Sequence, residues 1–433
     1  MDRFEYRDGR LWCEDVAAAE IASAVGTPAY VYSAGTLLHH YRAIERAFAA
    51  LRPTICYSVK SLANLHVLKL LAGAGSGFDV TSGGELARAL AAGGEPSKIV
   101  FAGVGKTDAE ITQAIAAGIG LFNVESEAEF ENLSRLAGSA GRTIRAALRL
   151  NPDVYDPKTH TYTATGKKET KFGVDIDRAM GFFEAYGRDA NVKLDGLHIH
   201  IGSPIYSAEP YVQAIGKSLE LIDRLQAAGH AICLLDIGGG FAADYETGAS
   251  PLAADYARDI VPLLAGRGLE LIIEPGRQIS CNAGVLLTQV LYVKKGGDRR
   301  FVIVDAAMTD LIRPLLYGGK HFIYPAELPA GAQPPQRRMD YAPAGAVRCD
   351  VVGGVCEPSD FLGKDRMLPP VSRGDLLAVF SAGAYGFVMS STYNSRPRAP
   401  EVLVEGGRWR IIRRRETCDD LMEPERHISV PDS

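Results

Sequence analysis

The chain has no long apolar run, no paired cysteine spacing and no large excess of one charge. Its apolar segments fall far short of the roughly 20 residues that cross a bilayer. The first ten residues, MDRFEYRDGR, are polar and charged, unlike the apolar centre of a signal peptide. Seven scattered cysteines predict reduced thiols and neither a disulfide framework nor a metal site. We therefore expect a cytoplasmic protein that does not enter a membrane.

The charge balance also limits the class of partner. Lys and Arg number 47 against 52 Asp and Glu, which leaves a net charge of −5. A chain with this balance has no broad surface for nucleic acid or anionic lipid. With 47% hydrophobic and 23% charged residues it is globular rather than disordered. Its 433 residues are enough for two or three domains, or for one barrel with a companion domain.

Strand-like and helix-like segments alternate through the middle of the chain, and glycines follow several of the helical stretches. About eight such strands predict a parallel (β/α)8 barrel, because right-handed β-α-β crossovers close at that number. An open, doubly wound α/β sheet is the alternative. The predicted strands are Thr54–Lys60, Phe78–Thr81, Ile99–Gly103, Leu121–Glu125, Ile144–Asn151, Leu194–His200, Cys233–Ile237 and Leu269–Glu274.

Beyond about residue 280 the long helical patterns stop, and short strands separated by Gly- and Pro-rich loops predict a mainly antiparallel β domain. Strand-like segments near the start, such as Tyr30–Tyr32, are expected to join that domain. The fold class is thus α/β, a barrel plus a β domain. The predicted domains are an N-terminal segment at 1–32, a barrel at 33–282 and a C-terminal β domain at 283–433.

Chemically capable side chains follow several barrel strands, at the end where barrel enzymes place their active sites. Lys60 follows Tyr57-Ser58-Val59. A lysine partly withdrawn from water there can form a Schiff base with a carbonyl compound, although a surface lysine is the ordinary alternative. Asp79 ends the second strand and is as readily a helix cap as a site residue.

Two histidines, His198 and His200, alternate near the end of another predicted strand. Strict alternation puts them on opposite faces, so only one is expected to point into the barrel. His200 lies nearer the carboxyl end and is the better candidate for the site. A lone strand histidine is otherwise more often structural.

Glycines and a carboxylate follow the last two barrel strands. The triple glycine 238–240 allows close approach of a ligand and offers N–H groups to a phosphate, although a flexible turn is the simpler reading. Glu274 follows an apolar strand and needs a cationic partner if it is buried. Arg277 or a protonated ring nitrogen could serve, and Gly276 with Arg277 could add to anion binding.

Three further clusters occur in the predicted β domain, and none of them alone indicates a function. Arg313 and Tyr317 share a short segment, Cys356 stands beside Glu357, and glycines flank Tyr385. A Schiff-base lysine, a glycine phosphate loop, a strand-end carboxylate and an inward histidine together match the needs of pyridoxal 5′-phosphate. The carboxylate would keep the ring nitrogen protonated, which favours chemistry through a carbanion.

The sequence resembles the diaminopimelate decarboxylase family, the alanine-racemase-like (fold-type III) pyridoxal enzymes, over nearly its whole length. The resemblance rests on YSVK at 57–60, HIHIGS at 198–203, GGGF at 238–241, EPGR at 274–277, MTDLIRPLLY at 308–317 and the Cys356-Glu357 pair. The stretch 159–173, THTYTATGKKETKFG, is similar to the family's specificity segment and favours diaminopimelate over ornithine or arginine.

The resemblance implies decarboxylation of meso-2,6-diaminopimelate to L-lysine and CO2, the last step of lysine biosynthesis, by a homodimer with shared sites. It implies pyridoxal 5′-phosphate as cofactor, no metal, Lys60 as its attachment point and Cys356 as proton donor across the dimer interface. The residues implied to bind the cofactor are Lys60, Asp79, His200, Ser203, Gly239, Gly240, Glu274, Gly276, Arg277 and Tyr385. Those implied to bind the substrate are Arg277, Arg313, Tyr317, Glu357 and Tyr385.

One residue departs from the family pattern. Pro358 stands where the family usually has serine or threonine after the Cys-Glu pair, and its fixed φ could reposition that loop. A decarboxylase of another basic or D-amino acid is therefore an alternative. A non-catalytic regulatory homologue would be expected to lose Lys60 or Cys356, and both are present. Racemases of this group usually have an arginine where Glu274 stands.

Overall fold

The computed structural model describes residues 2–156, 159, 165 and 170–426. The chain divides into two compact units, and the first and third segments of one unit enclose most of the other in sequence. One unit comprises residues 1–36, 244–249 and 280–433, and the other comprises residues 37–243 and 250–279. The second unit holds most of the helices and the parallel strands of the barrel, and the first holds the antiparallel strand pairs.

The N-terminal elements begin with a small antiparallel sheet, followed by a helix, a longer strand and a second helix. They are β1 (Phe4–Arg7), β2 (Arg10–Cys13), β3 (Val16–Ala17), α1 (Ala18–Val25), β4 (Ala29–Ser33) and α2 (Ala34–Ala47). All five residues of β4 are buried, which indicates a strand covered on both faces.

Eight parallel strands of the second unit close into a barrel, as the sequence predicts. They are β5 (Thr54–Ser58), β6 (Gly77–Val80), β7 (Ile99–Phe101), β8 (Leu121–Val124), β9 (Ile144–Asn151), β11 (Val192–Ile199), β12 (Leu234–Asp236) and β13 (Glu270–Ile273). Neighbours pair in chain order, β13 pairs with β5, and the two-residue β10 (Val174–Asp175) lies beside β9. A cluster of buried side chains from six strands fills the interior: Cys56, Val100, Leu121, Ala147, Leu234 and Ile272.

The helices between these strands are α3 (Leu65–Gly73), α4 (Gly83–Ala91), α5 (Asp108–Ala117), α6 (Glu127–Ser139), α7 (Ala179–Tyr186), α8 (Glu209–Ala227), α9 (Ala253–Leu264) and α10 (Arg277–Ser280). Hydroxyl side chains define several of their starts. Ser82, Thr107 and Ser126 accept the backbone N–H three residues on, which satisfies a donor that the helix leaves unpaired. Gly118 ends α5 in the left-handed conformation.

The other unit is built around a mixed sheet. Its strands are β14 (Gly284–Gly296), β15 (Arg299–Val304), β16 (Ile323–Pro325), β17 (Val347–Val352), β18 (Phe361–Leu368), β19 (Leu376–Val379), β20 (Glu401–Glu405) and β21 (Arg408–Arg413). Short helices α11 (Arg313–Tyr317) and α12 (Cys418–Met422) complete it. As predicted, the N-terminal segment joins this sheet: β4 lies between β14 and β20.

Among the described residues, no helix combines the length and apolar character that a membrane span requires.

A buried ion pair connects the β7–α5 loop to α6 beside the barrel. The side chain of Lys106 is 1% exposed, and its Nζ lies 2.5 Å from Oε1 of Glu129. The same ammonium donates to the backbone carbonyls of Gly103 and Asn123, each at 2.8 Å. All three donors of the ammonium are therefore used, which is the condition under which a buried charge is tolerated.

Replacing Lys106 with Met should destabilise the protein by about 3 kcal/mol, because it leaves Glu129 buried without its cation. Lys98→Met is the matched control, since Lys98 pairs with Glu95 at 2.7 Å on the exposed surface and such pairs contribute about 1 kcal/mol or less. Urea unfolding followed by circular dichroism would compare the two. Equal losses would contradict the assigned role of the buried pair.

Candidate active site

Lys60 and Asp79 meet at the carboxyl ends of β5 and β6. Nζ of Lys60 donates to Oδ2 of Asp79 at 2.9 Å, and Oγ of Ser58 donates to the same oxygen at 2.5 Å. Asp79 is fully buried, whereas the Lys60 side chain is 36% exposed. The sequence placed Lys60 at the end of a strand; it lies instead in a single 3-10 turn, Val59–Ser61, because β5 ends at Ser58. This turn places the amine beside the buried carboxylate of the neighbouring strand.

The ionisation of Asp79 is set by opposing effects. Burial and the neighbouring Glu274 raise the pKa of Asp79, whereas Lys60 and the hydroxyl of Ser58 lower it. Its second carboxyl oxygen, Oδ1, is buried and has no hydrogen-bond partner among the described residues. Asp79 can therefore pair with the Lys60 ammonium or retain a proton when that amine becomes neutral.

Glu274 follows β13 and is buried inside the barrel. Its backbone N–H donates to the carbonyl of Gly238 at 2.9 Å, which fixes the start of the loop. Its carboxylate accepts from Nδ2 of Asn123 at 3.3 Å and lies 3.5 Å from Nε2 of His198. Burial opposes ionisation of Glu274, but His198 and Lys60 outweigh it and lower its pKa well below the usual range. The barrel thus holds a negative charge away from water.

Three residues around Glu274 were not singled out from the sequence as site residues: Asn123, His198 and Asp236. Asn123 Nδ2 also donates to Oδ2 of Asp236 at 3.3 Å. Asn123 and Asp236 could have been found as polar residues in otherwise apolar strands. Asn123 lies inside Leu-Phe-Asn-Val, and Asp236 ends Leu-Leu-Asp. Such a side chain is costly to bury unless its partners are buried with it.

The sequence favoured His200 over His198 for the site, but the structure places His198 against Glu274 and His200 beside the glycine loop. β11 ends at Ile199, so His200 lies beyond the strand and strict alternation does not extend to it. His198 is buried against Glu274. Nδ1 of His200 accepts the backbone N–H of Gly239 at 3.3 Å, which assigns the ring proton to Nε2. Burial, with Arg149 and Lys60 nearby, lowers the pKa of His200 well below its usual range, so its ring is neutral.

The loop of three glycines is packed too closely for any side chain. A Cβ on Gly239 would lie 2.1 Å from the carbonyl oxygen of Glu274, and one on Gly240 would lie 2.3 Å from that of Gly202. Gly240 also has a φ of +107°. The three loop carbonyls accept, in order, from Glu274 N–H, Tyr211 O–H and Ile205 N–H. Because these three carbonyl oxygens already accept hydrogen bonds within the protein, they are turned away from an anion that binds at the loop.

Two side chains of the predicted phosphate region are joined directly. Nε of Arg277 donates to Oγ of Ser203 at 3.1 Å, and Arg277 is only 5% exposed. Arg277 opens α10, directly after Gly276. A Cβ on Gly276 would lie 2.9 Å from the Cβ of Ser58, so this turn also requires glycine. A buried guanidinium beside a hydroxyl is suited to a phosphate or carboxylate.

A buried ion pair that was missed from the sequence lies beside His200. Nη1 of Arg149 donates to Oε1 of Glu125 at 3.0 Å, and the ring of Phe172 lies 4.7 Å from the guanidinium. The N–H of Gly173 donates to the other oxygen of Glu125 at 3.2 Å. This pair therefore anchors the end of the 159–173 stretch that the sequence assigns to specificity.

Most of that stretch lies outside the described residues, which include only Thr159, Thr165 and 170–173 of it. Oγ1 of Thr159 donates to the carbonyl of Pro204 at 2.7 Å, and Oγ1 of Thr165 donates to that of His200 at 2.9 Å. These two contacts connect the segment to the loop that follows β11.

In the β-rich unit, Arg313 is buried beside two tyrosines. Its guanidinium carbon lies 4.8 Å from the centre of the Tyr245 ring and 5.8 Å from that of Tyr317. Its Nε is buried and has no hydrogen-bond partner among the described residues, so this donor is available to a ligand. Tyr385 has a φ of +55°, a strained conformation of the kind found at functional sites.

Cys356 and Glu357 lie on an exposed loop of the same unit. Asn394 donates from Nδ2 to the Cys356 sulfur at 3.5 Å, and Ser359 donates to Glu357 at 2.8 Å. The N–H of Asp360 donates to the carbonyl of Glu357 at 3.0 Å, which closes a four-residue turn. Pro358 is the second residue of that turn, where its fixed φ is favourable. The departure from the family pattern therefore stiffens the loop that carries Cys356 and Glu357.

Comparisons with known proteins agree with this arrangement. Residues 34–281 match the family model described as the pyridoxal binding domain of pyridoxal-dependent decarboxylases. The chain is 48% identical to the diaminopimelate decarboxylase of Pseudomonas aeruginosa and 47% identical to that of Vibrio cholerae, over 97% of its own length and 98% of each relative. A solved diaminopimelate decarboxylase of Helicobacter pylori, complexed with L-lysine, is 40% identical with a TM-score of 0.87, over 94% of this chain and 98% of that one.

The family model spans the whole barrel, and the relatives match both units of the chain. The residues that carry the resemblance in the barrel, Lys60, His200, the glycine loop and Glu274, follow four of its strands. The chain therefore belongs to the pyridoxal-dependent decarboxylases and, within them, to the diaminopimelate decarboxylase family.

Proposed function

We propose that this chain removes one carboxyl group from meso-2,6-diaminopimelate, giving L-lysine and CO2, with pyridoxal 5′-phosphate as its cofactor. The observation that carries the proposal is a buried, ionised Glu274 in the same barrel as the Lys60 amine. The close identity to diaminopimelate decarboxylases over the whole chain supports the choice of substrate. The proposed reaction is the last step of lysine biosynthesis. The seven free thiols support a reducing compartment, the cytoplasm.

The barrel residues fit this cofactor. Lys60 offers an amine for its aldehyde, and Asp79 is placed to exchange a proton with that amine. Glu274 offers a buried negative charge for the protonated ring nitrogen. Two N–H groups of the glycine loop donate within the protein, Gly238 to Asp236 and Gly239 to His200, so the N–H of Gly240 and the Ser203–Arg277 pair are the donors offered to the phosphate. Gly276 and Tyr385 are assigned to the same region by resemblance.

Bound pyridoxal phosphate supplies an electron sink, which accepts the electron pair left when the carbon–carbon bond to the carboxylate breaks and CO2 departs. Glu274 maintains the positive charge of the ring that makes this possible, because its own charge is held inside the barrel. His200, with a neutral ring, is suited to lie against the cofactor without competing for that carboxylate. The Cys356 thiol then delivers a proton to the carbon that lost CO2.

The residues proposed to hold the far end of the substrate carry both charges. Arg277 and Arg313 suit a carboxylate, since a guanidinium can bind it through two parallel hydrogen bonds. Glu357 suits the distal ammonium, and the tyrosines Tyr317 and Tyr385 complete the set by resemblance. Burial of Arg313 with an unpartnered Nε makes the site intolerant of a substrate without that carboxylate, such as ornithine.

We also propose a homodimer in which each site takes Cys356 from the opposite subunit. In the single chain, Cys356 and Glu357 are exposed on a loop closed by Pro358. An exposed thiol and carboxylate on a stiff loop are suited to insertion into another copy of the chain. This arrangement makes the dimer, rather than the subunit, the catalytic unit.

The direct test is release of CO2 and L-lysine from meso-diaminopimelate by the cofactor-loaded protein. The LL isomer, ornithine and arginine are assayed in parallel as alternative substrates. Turnover of the meso form with little or none of the others is expected, because ornithine and arginine lack the second carboxylate and the LL isomer has the opposite configuration at one of its two α-carbons. Absence of turnover with normal cofactor absorbance would overturn the assigned substrate while leaving the cofactor site in place.

Replacing Arg313 with Ala should lower kcat/KM for meso-diaminopimelate by at least about tenfold, because the carboxylate loses a charged hydrogen-bond donor. The effect should appear mainly in KM, since Arg313 is assigned to binding. Arg410→Ala, at an exposed position of β21 in the same unit, serves as the control. Steady-state kinetics with unchanged cofactor absorbance would establish the assignment, and equal kcat/KM values for the two variants would contradict it.

Mixing two inactive variants tests the shared sites. Lys60→Ala and Cys356→Ala homodimers each lack one essential group at both sites. After subunit exchange, half of the dimers are mixed and each mixed dimer has one intact site, so about a quarter of wild-type activity should return. Activity that stays at the level of the separate variants, despite exchange seen by native mass spectrometry, would exclude sharing of Cys356.

A further inference from the structure

A group of buried polar side chains surrounds Glu274 inside the barrel. It comprises Asn123 on β8, His198 on β11 and Asp236 at the end of β12, and we call these three with Glu274 the acid cluster. His198 and Asp236 are direct neighbours in the pairing of β11 with β12. One ligand-type atom from each of His198, Asp236 and Glu274 lies within 4.8 Å of the other two. All four residues are at most 4% exposed.

The acid cluster has two carboxyl groups and one amide between them. Asn123 uses one NH₂ group to bridge them, at 3.3 Å to Asp236 and 3.3 Å to Glu274. The other oxygen of Asp236 accepts the N–H of Gly238 at 2.8 Å. Two adjacent carboxylates inside a protein cannot both be ionised without a large cost, so one of them must keep a proton.

The contacts decide which carboxyl group keeps the proton. His198 lies 3.5 Å from Glu274, so the charge of Glu274 has a partner if the imidazole is protonated. The contacts of Asp236 to Asn123 and Gly238 come from neutral donors. Burial and Glu274 raise the pKa of Asp236 well above its usual range, whereas His198 and Lys60 lower that of Glu274. The negative charge is therefore on Glu274 and the proton on Asp236.

We propose that Asp236 is a protonated positioning residue and that, with His198 and Asn123, it keeps Glu274 ionised and oriented for the cofactor ring nitrogen. This inference rests on the function proposed above for Glu274. None of the three is assigned to the reaction itself; they act through Glu274. His198 has no hydrogen-bond partner for either ring nitrogen among the described residues, so it acts on Glu274 through the ring edge that lies 3.5 Å from the carboxylate.

The proton can be observed without the cofactor. Infrared difference spectra of the cofactor-free protein at neutral pH should contain the carbonyl stretch of a buried carboxylic acid that disappears in Asp236→Asn. Asp195→Asn is the matched control, since Asp195 is a buried residue of the neighbouring strand β11 and pairs with two cationic side chains, Arg145 and Lys193. Loss of the same band in the control, or no band lost in Asp236→Asn, overturns the proposal.

Affinity for the cofactor tests whether the proton on Asp236 matters apart from the shape of its side chain. Asparagine reproduces a neutral donor at position 236, whereas leucine does not. Asp236→Asn should therefore bind pyridoxal phosphate about tenfold more tightly than Asp236→Leu. If the aspartate were ionised in the wild type, the two variants would be equally impaired, and that result would contradict the proposal.

The role of His198 is tested by replacing it and then restoring a hydrogen-bond donor at the same position. His198→Leu should weaken cofactor binding by about tenfold and change the pH dependence of the bound cofactor's absorption band, because Glu274 loses the imidazole that lies 3.5 Å from its carboxylate. His198→Gln should restore part of the affinity through its amide donor. His230→Leu is the control, since His230 contacts Phe183 with a ring-centre separation of 5.5 Å and does not belong to the acid cluster. Equal behaviour of His198→Leu and His230→Leu overturns the role of His198.

Glu274→Gln distinguishes failure of this inference from failure of the proposed function. If Glu274→Gln binds and absorbs like wild type, the role of Glu274 itself is wrong. If it is impaired but the Asp236 and His198 variants are not, only the present inference fails. Metal analysis accompanies these measurements, because His198, Asp236 and Glu274 could also bind a divalent cation; a stoichiometric metal that resists chelation would overturn the proton assignment.

Discussion

The burial of a negative charge inside a parallel barrel is the constraint on which the rest of the site depends. Glu274 is 4% exposed, and burial alone would neutralise it. The imidazole of His198, the ammonium of Lys60 and the bridging amide of Asn123 offset that cost. These groups come from different strands, so the charge persists only when the barrel is closed. The charge proposed to control the electronics of the cofactor ring therefore depends on closure of the barrel.

Closure of the barrel also explains why glycines occupy the loops at its carboxyl end. The loop at 238–240 and the turn at Gly276 pack against backbone or side chains of neighbouring strand ends at distances that no Cβ allows. Their first role is therefore to let several strand-end loops converge within a small area. The suitability for phosphate follows from that convergence, because the loop carbonyls are used by the protein and its donors are not all used.

Much of this architecture could be predicted from the sequence, because apolar strands with regular helical spacing reveal a barrel and side chains after strands reveal its active end. The strand predicted at Ile144–Asn151 has the observed bounds. Asn123, Asp236 and the Arg149–Glu125 pair were missed, since their function lies in contacts between strands far apart in sequence. His198 was misjudged because alternation says nothing about where a strand ends. The strand Phe361–Leu368 was missed because its centre, Gly-Lys-Asp-Arg, is polar.

The position of β4 has a consequence for how the chain is made. This strand comprises residues 29–33, yet its neighbours in the sheet are β14 and β20, and β20 begins at Glu401. During synthesis the N-terminal strand leaves the ribosome first and must wait for nearly the entire chain before its second edge is covered. Residues 37–243 and 250–279, which lie between these strands in sequence, form a compact unit of their own and can fold meanwhile. The nascent protein therefore carries an apolar strand with both edges uncovered until β14 is made, and with one edge uncovered until β20 follows, which exposes a segment of the kind that chaperones bind.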